Sequence, residues 1–128
     1  MSLAIAMGFL AWGPITLTPA AHLYADTRSF GGAAHGLNAL LSLPLLLAGA
    51  WGWRTTGRNN WPASLQLPWR LYFACIALAG GLAAAYHVSP GDLGYLAAQA
   101  AGAGAFVLLL CAFLAERVDA RFGSALAC

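Results

Sequence analysis

Three imidazoles and two carboxylates carry most of the chemistry open to this chain. His22, His35 and His87 are its only histidines, and Asp26 and Asp92 lie close to them in the sequence. Neutral imidazole is a good ligand for zinc, copper or iron. His87, His22 and His35 are therefore candidate metal ligands, provided that the fold gathers them at one depth and away from lipid, where a polar site is costly. Their spacing contains no HxxH or HxxxH pair. The competing reading is a polar contact between helix ends, because an imidazole also sits well at a membrane interface with one edge wet. No GxSxG, Walker A, GxGxxG or HExxH pattern is present, so a serine hydrolase or a nucleotide enzyme has no support.

Other polar residues have structural readings. Asp26 and Arg28 in "YADTRSFGG" form a local ion pair in a turn, worth ~0–1 kcal/mol if exposed. Asn38 lies about one turn inside an apolar segment, where an uncompensated amide is expensive. It should bond to a neighbouring helix, contributing ~0.6–2 kcal/mol, or orient a ligand. Gln99 is a second candidate for such a bond. Pro44 removes one backbone bond from its helix, and Ser42 is placed to help satisfy the freed carbonyl. Cys75 and Cys111 sit inside apolar runs and Cys128 is the last residue; without a CxxC pair they read as small apolar side chains.

The elements that must position these groups follow from composition. Of 128 residues, 61% are hydrophobic and 8% charged, against about 25% charged in ordinary soluble domains. The mean hydropathy is +0.72. So few charges could not cover a soluble surface, and the class is integral membrane. The arginines flank apolar runs instead of forming a stripe, which excludes a nucleic-acid surface.

Apolar segments run over roughly residues 2–20, 35–53, 70–88 and 94–115. Each approaches the ~20 residues that cross a hydrocarbon core as a helix. Nothing alternates as a barrel strand would. The expected fold is all-α: an integral membrane bundle of four transmembrane helices in one domain, 1–128, with a 54–69 loop. The first segment has no positive n-region, so it reads as a retained helix, kinked near Pro14 and Pro19, instead of a signal peptide. Four crossings put both termini and the 54–69 loop on one side, with Arg54, Arg58, Arg70, Arg117 and Arg121; Arg28 is alone on the other. The positive-inside rule makes the arginine-rich side cytoplasmic. Trp51, Trp53, Trp61 and Trp69 form an aromatic belt there, and Glu116, Arg117, Asp119 and Arg121 a charged cap. His22, His35 and His87 share the opposite interface with Tyr24, Tyr86 and Tyr95. Ala77, Gly81 and Ala85, and likewise Gly94, Ala98 and Gly102, repeat every four residues. Such small-xxx-small faces predict tight packing of the third segment on the fourth.

"HLYADTRSFGGAAHGLNALLSLPLLLAGAWG", followed by "AYHVSPGD" and "LAERVDARFG", resembles the alkaline-ceramidase-like family. These are multi-pass membrane hydrolases of the wider superfamily that includes the progestin and adiponectin receptors. The matching pieces are the "YAD-x-R" entry, the asparagine and proline of "LN-x-LLSLP", the "YH-x-x-P-x-D" turn and "AERV". They occur in the family's order over roughly residues 22–123. The resemblance implies a seven-helix fold whose catalytic zinc activates water to cleave a lipid amide, with His87 matching the first zinc-ligand histidine. It also marks departures. Ala83 stands where the family has a serine one turn before that histidine. Ala98 and Gln99 stand where it has an aspartate at the head of the fourth helix. The serine–asparagine pair of the second helix reads Leu41–Ser42. Asp26 is the sole counterpart of the calcium-binding acidic cluster, and the two further zinc histidines of a late helix have no counterpart here.

A catalytic zinc needs three protein ligands, an open water position and a group to relay the proton. The residues thus predict a shortened, degenerate relative without hydrolase activity or cofactor, acting as an accessory or structural subunit of a larger membrane complex. Its partners would be membrane lipids and other integral membrane subunits, and its location the cytoplasmic membrane of a bacterium. His87 would then hydrogen-bond to Asp92 or His22 and hold helix ends together. The alternatives are a zinc-dependent lipid amide hydrolase and a lipid- or pigment-binding membrane module.

Overall fold

The computed structural model describes residues 29–32 and 35–124. The 2–20 segment, His22, Asp26, Arg28 and Cys128 lie outside the described residues. Of those described, 82% are helical and none forms a strand. Helix α1 spans Gly36–Thr56, α2 Ala63–Val88 and α3 Asp92–Arg117, and a single turn, α4, spans Arg121–Ser124. The first three are long and apolar enough to cross a membrane. At 1.5 Å per residue, the 26 residues of α2 and of α3 extend roughly 39 Å, longer than a ~30 Å hydrocarbon core.

The expected 54–69 loop is a correction. α1 continues through Thr56 and α2 starts at Ala63, so only residues 57–62 connect them. Pro68 lies within α2 and is fully buried. The turn before it is held from outside. Pro62, extended at φ −53° and ψ 143°, presents a carbonyl that accepts from the Leu65 and Gln66 N–H groups. An interior proline removes the N–H that would bond the carbonyl four residues earlier; here that carbonyl belongs to Ser64, and α4 covers it, with Gly123 packed so closely that a Cβ there would strike the Ser64 oxygen.

α1, α2 and α3 run antiparallel in one layer. α2 packs on both α1 and α3, and α1 and α3 do not meet. α4 folds back on α2 and α3. Close approach is concentrated between α1 and α2. A Cβ on Gly49 would collide with the Ala77 backbone and the Phe73 carbonyl, and one on Gly80 with the backbone of Leu45 and Leu46. Between α2 and α3 the contact is made by side chains. A Cβ on Gly94 would meet the Tyr86 side chain at 3.5 Å, and one on Gly102 would meet nothing within 4 Å. α2 packs on α3 as well as on α1, and the closest backbone approach among the three long helices falls on the α1 side. The Ala77 backbone lies against Gly49 of α1, a Cβ on Gly81 would meet the Leu46 methyl at 3.7 Å, Ala85 is exposed and Ala98 half-buried. A row of small residues permits close packing, but the partner decides which row is used.

Because α1 and α3 stay apart, they leave an apolar recess of about 290 Å³ over α2, lined by Leu45 of α1, Tyr72 and Ile76 of α2, and Gly102, Ala105 and Phe106 of α3.

Candidate functional site

The two ends of the layer differ in chemistry. At one end the start of α1, the close of α2 and the start of α3 come together. His35 immediately precedes α1, and His87 is the penultimate residue of α2. The two imidazoles lie within electrostatic reach of each other. Both are half-buried. The Tyr86 ring, 4% exposed, packs edge-on against Tyr95 at 5.7 Å between centroids and 5.4 Å from the His87 ring. Tyr86 therefore pins α2 to α3 at this end. Asp92 opens α3 as an exposed carboxylate in its first turn, where the positive end of the helix dipole favours a negative charge.

Among the described residues, this donor set falls short of the zinc that the resemblance implies. Among the described residues, no three His, Cys, Asp or Glu side chains gather closely enough to hold a metal ion, whereas a catalytic zinc takes three protein ligands. His87 and His35 contribute two imidazoles, and His22 lies outside the described residues. Ala83 is half-buried on α2, one turn before His87.

Two polar side chains within the long helices, Ser42 and Gln99, bond inside their own helix. The Ser42 hydroxyl donates to the Asn38 carbonyl at 3.0 Å. Pro44 frees the Leu40 carbonyl instead, so the expected role of Ser42 is corrected: it makes an ordinary i to i−4 bond. Asn38 is half-buried. Gln99 is exposed, and its amide donates to the Tyr95 hydroxyl at 3.4 Å within the same helix, not across to another. Cys75 and Cys111 are free thiols, both half-buried.

The other end carries Arg54, Arg58, Arg70, Arg117 and Arg121, and two of its contacts were missed by sequence reasoning. The Gln66 amide donates to the carbonyls of Thr56 at 3.1 Å and Asn59 at 3.0 Å. It thereby caps the C-terminus of α1 from the first turn of α2. The Arg70 guanidinium lies 4.2 Å from the centre of the Trp53 ring, within the range of a cation–π contact. A glutamine flanked by Pro62 and Pro68 is the available signal, and it is lost once 54–69 is read as a loop. Within the charged cap, Arg117 pairs with Glu116 at 3.6 Å and Arg121 with Asp119 at 3.9 Å. Asp119 also accepts the Arg121 backbone N–H at 2.8 Å, which starts α4.

Compared with protein-family models, curated proteins and solved structures, the chain matches none of them.

Proposed function

We propose that the chain is a small, non-catalytic integral membrane protein that serves as an accessory or structural subunit of a larger membrane complex. The observation that carries this reading is the open layer formed by the described residues. α2 is covered on two flanks by α1 and α3, which do not meet, and an apolar recess remains over it. A helix layer that leaves small residues such as Gly102 uncovered suits van der Waals association with further helices in lipid. In this reading residues 2–20 add a fourth crossing to a bundle whose termini share the arginine-rich, cytoplasmic side.

The resemblance to the alkaline-ceramidase-like family supports the same reading through its departures. Ala83 stands where the family has a serine, and Ala98 and Gln99 stand where it has an aspartate. What remains is the membrane scaffold: the turn after His87, the Tyr86 anchor and the charged cap. Fold kinship does not carry activity with it.

Extraction of the full chain from its native membrane in a mild detergent tests the reading. The expected result is recovery in a stable assembly of fixed stoichiometry with other integral membrane proteins. Recovery solely as a monomer, at the expression level of the native gene, overturns it.

A further inference from the structure

At the arginine-rich end, a cavity of about 260 Å³ is lined by Trp61, Leu65, Trp69 and Glu116. It lies where the first turns of α2 meet the last turn of α3, at the level where tryptophans anchor a helix to the membrane interface. We propose that this cavity binds the ammonium end of a zwitterionic phospholipid, one with an ethanolamine-type headgroup. The proposal is independent of whether the chain is a subunit of a complex.

Three features select this chemistry. First, two indole rings border the cavity, and the face of an indole attracts a cation more strongly than any other side-chain ring. Trp69 is held in place by stacking on Phe73, 6.2 Å between centroids, and by an edge contact with Tyr72 at 5.8 Å. Trp61 is 46% exposed, so its ring is open to a ligand arriving from the interface. Second, Glu116 is the carboxylate of the lining, on the last turn of α3, where the negative end of the helix dipole adds to the attraction for a cation. Third, the partner already beside it does not commit it. Arg117 approaches Glu116 at 3.6 Å with both side chains substantially exposed, and such a neighbour pair is weak. Arg117 is then free to turn to the phosphate that follows the ammonium in a zwitterionic headgroup. The carboxylate, two indoles and guanidinium match the charge order of that headgroup. An anionic glycerol headgroup would place no cation in the cavity and would meet Glu116 with like charge.

The test is lipid retention. The full chain is reconstituted into nanodiscs holding equal amounts of phosphatidylethanolamine and phosphatidylglycerol, released, and analysed by native mass spectrometry. Retained phosphatidylethanolamine should exceed phosphatidylglycerol by about tenfold, the range of one cation–π contact combined with one ion pair. Glu116→Gln and Trp61→Leu, both at exposed positions, should each reduce that preference by about three- to tenfold, with unchanged helicity by circular dichroism. Equal retention of the two lipids, or full preference in both variants, overturns the proposal. Millimolar free ethanolamine should leave the bound lipid in place; displacement by the free amine would mean that the cavity takes a soluble amine and would overturn the assignment to lipid.

Discussion

Gln66 does more for the connection between α1 and α2 than any charged residue around it. Its amide donates to two carbonyls, those of Thr56 at the end of α1 and of Asn59 in the following turn; the Thr56 carbonyl, in a residue 5% exposed, shares the Gln66 amide with the Asn59 N–H at 3.3 Å. Helix C-termini orphan their last carbonyls, and leaving such a group unsatisfied away from water costs more than a surface contact returns. Gln66→Met keeps length and apolar contact but removes the donor. It should destabilise the full chain by about 1 kcal/mol, read as a shift in the midpoint of unfolding by sodium dodecyl sulfate in mixed micelles. An unchanged midpoint would show that water satisfies both carbonyls equally well. At this scale the sequence was legible where a residue's chemistry is rare, and less so where it is common. That His35 and His87 meet at one end follows from counting crossings. That Gln66 caps a helix ten residues upstream does not, because a glutamine side chain has no positional preference that marks its partner. The expected cross-helix bond of Gln99 failed for a related reason: the Tyr95 hydroxyl, one turn away on the same helix, was nearer.

Helices α1, α2 and α3 were visible as apolar runs because a bilayer demands length and apolarity and little else. Their ends were not. Proline is read as a boundary because it removes a hydrogen bond, yet Pro68 is buried within α2 and α4 covers the carbonyl it frees. The packing faces were legible as candidates and not as choices. Every helix here is rich in alanine and glycine, so several small rows compete, and the selection depends on what the facing helix presents. Among the three long helices the structure assigns the closest backbone approach to Gly49 and Gly80 and leaves Gly102 open. A pair of identical substitutions separates these roles. Gly80→Ala inserts a methyl group into the Leu45–Leu46 backbone and should cost about 1–3 kcal/mol, the usual penalty of overpacking. Gly102→Ala meets open space and should leave stability unchanged or slightly raise it, since alanine is the better helix former. Equal effects in the same micelle titration would place both glycines in equivalent surroundings and contradict the α1–α2 contact.

The whole molecule is asymmetric along the membrane normal, and this decides how it should insert. Arg54, Arg58, Arg70, Arg117 and Arg121 all fall at the end where α1 stops, α2 starts and α3 stops. The opposite end, where α2 turns into α3 through Ser89, Pro90 and Gly91, has no lysine or arginine among the described residues. Juxtamembrane arginines are retained on the cytoplasmic side, so the connection 57–62 is expected in the cytoplasm and the 89–91 turn on the far side. Three crossings alone would leave the two ends of the chain on opposite sides of the membrane. A fourth crossing by residues 2–20 would return Ser2 to the side of the arginines. Single cysteines distinguish these arrangements once Cys75, Cys111 and Cys128 are replaced by alanine. In intact cells a membrane-impermeant maleimide should label Ser89→Cys and spare Asn59→Cys, and permeabilisation should expose Asn59→Cys. Asn59 and Ser89 are both exposed, so protection reports the bilayer and not burial in the fold. If Ser2→Cys follows Asn59→Cys, the 2–20 segment crosses the membrane and the termini share the cytoplasm. If it follows Ser89→Cys, the segment does not cross, the open face of the layer has no fourth crossing from this chain to cover it, and the case for a partner helix there becomes stronger.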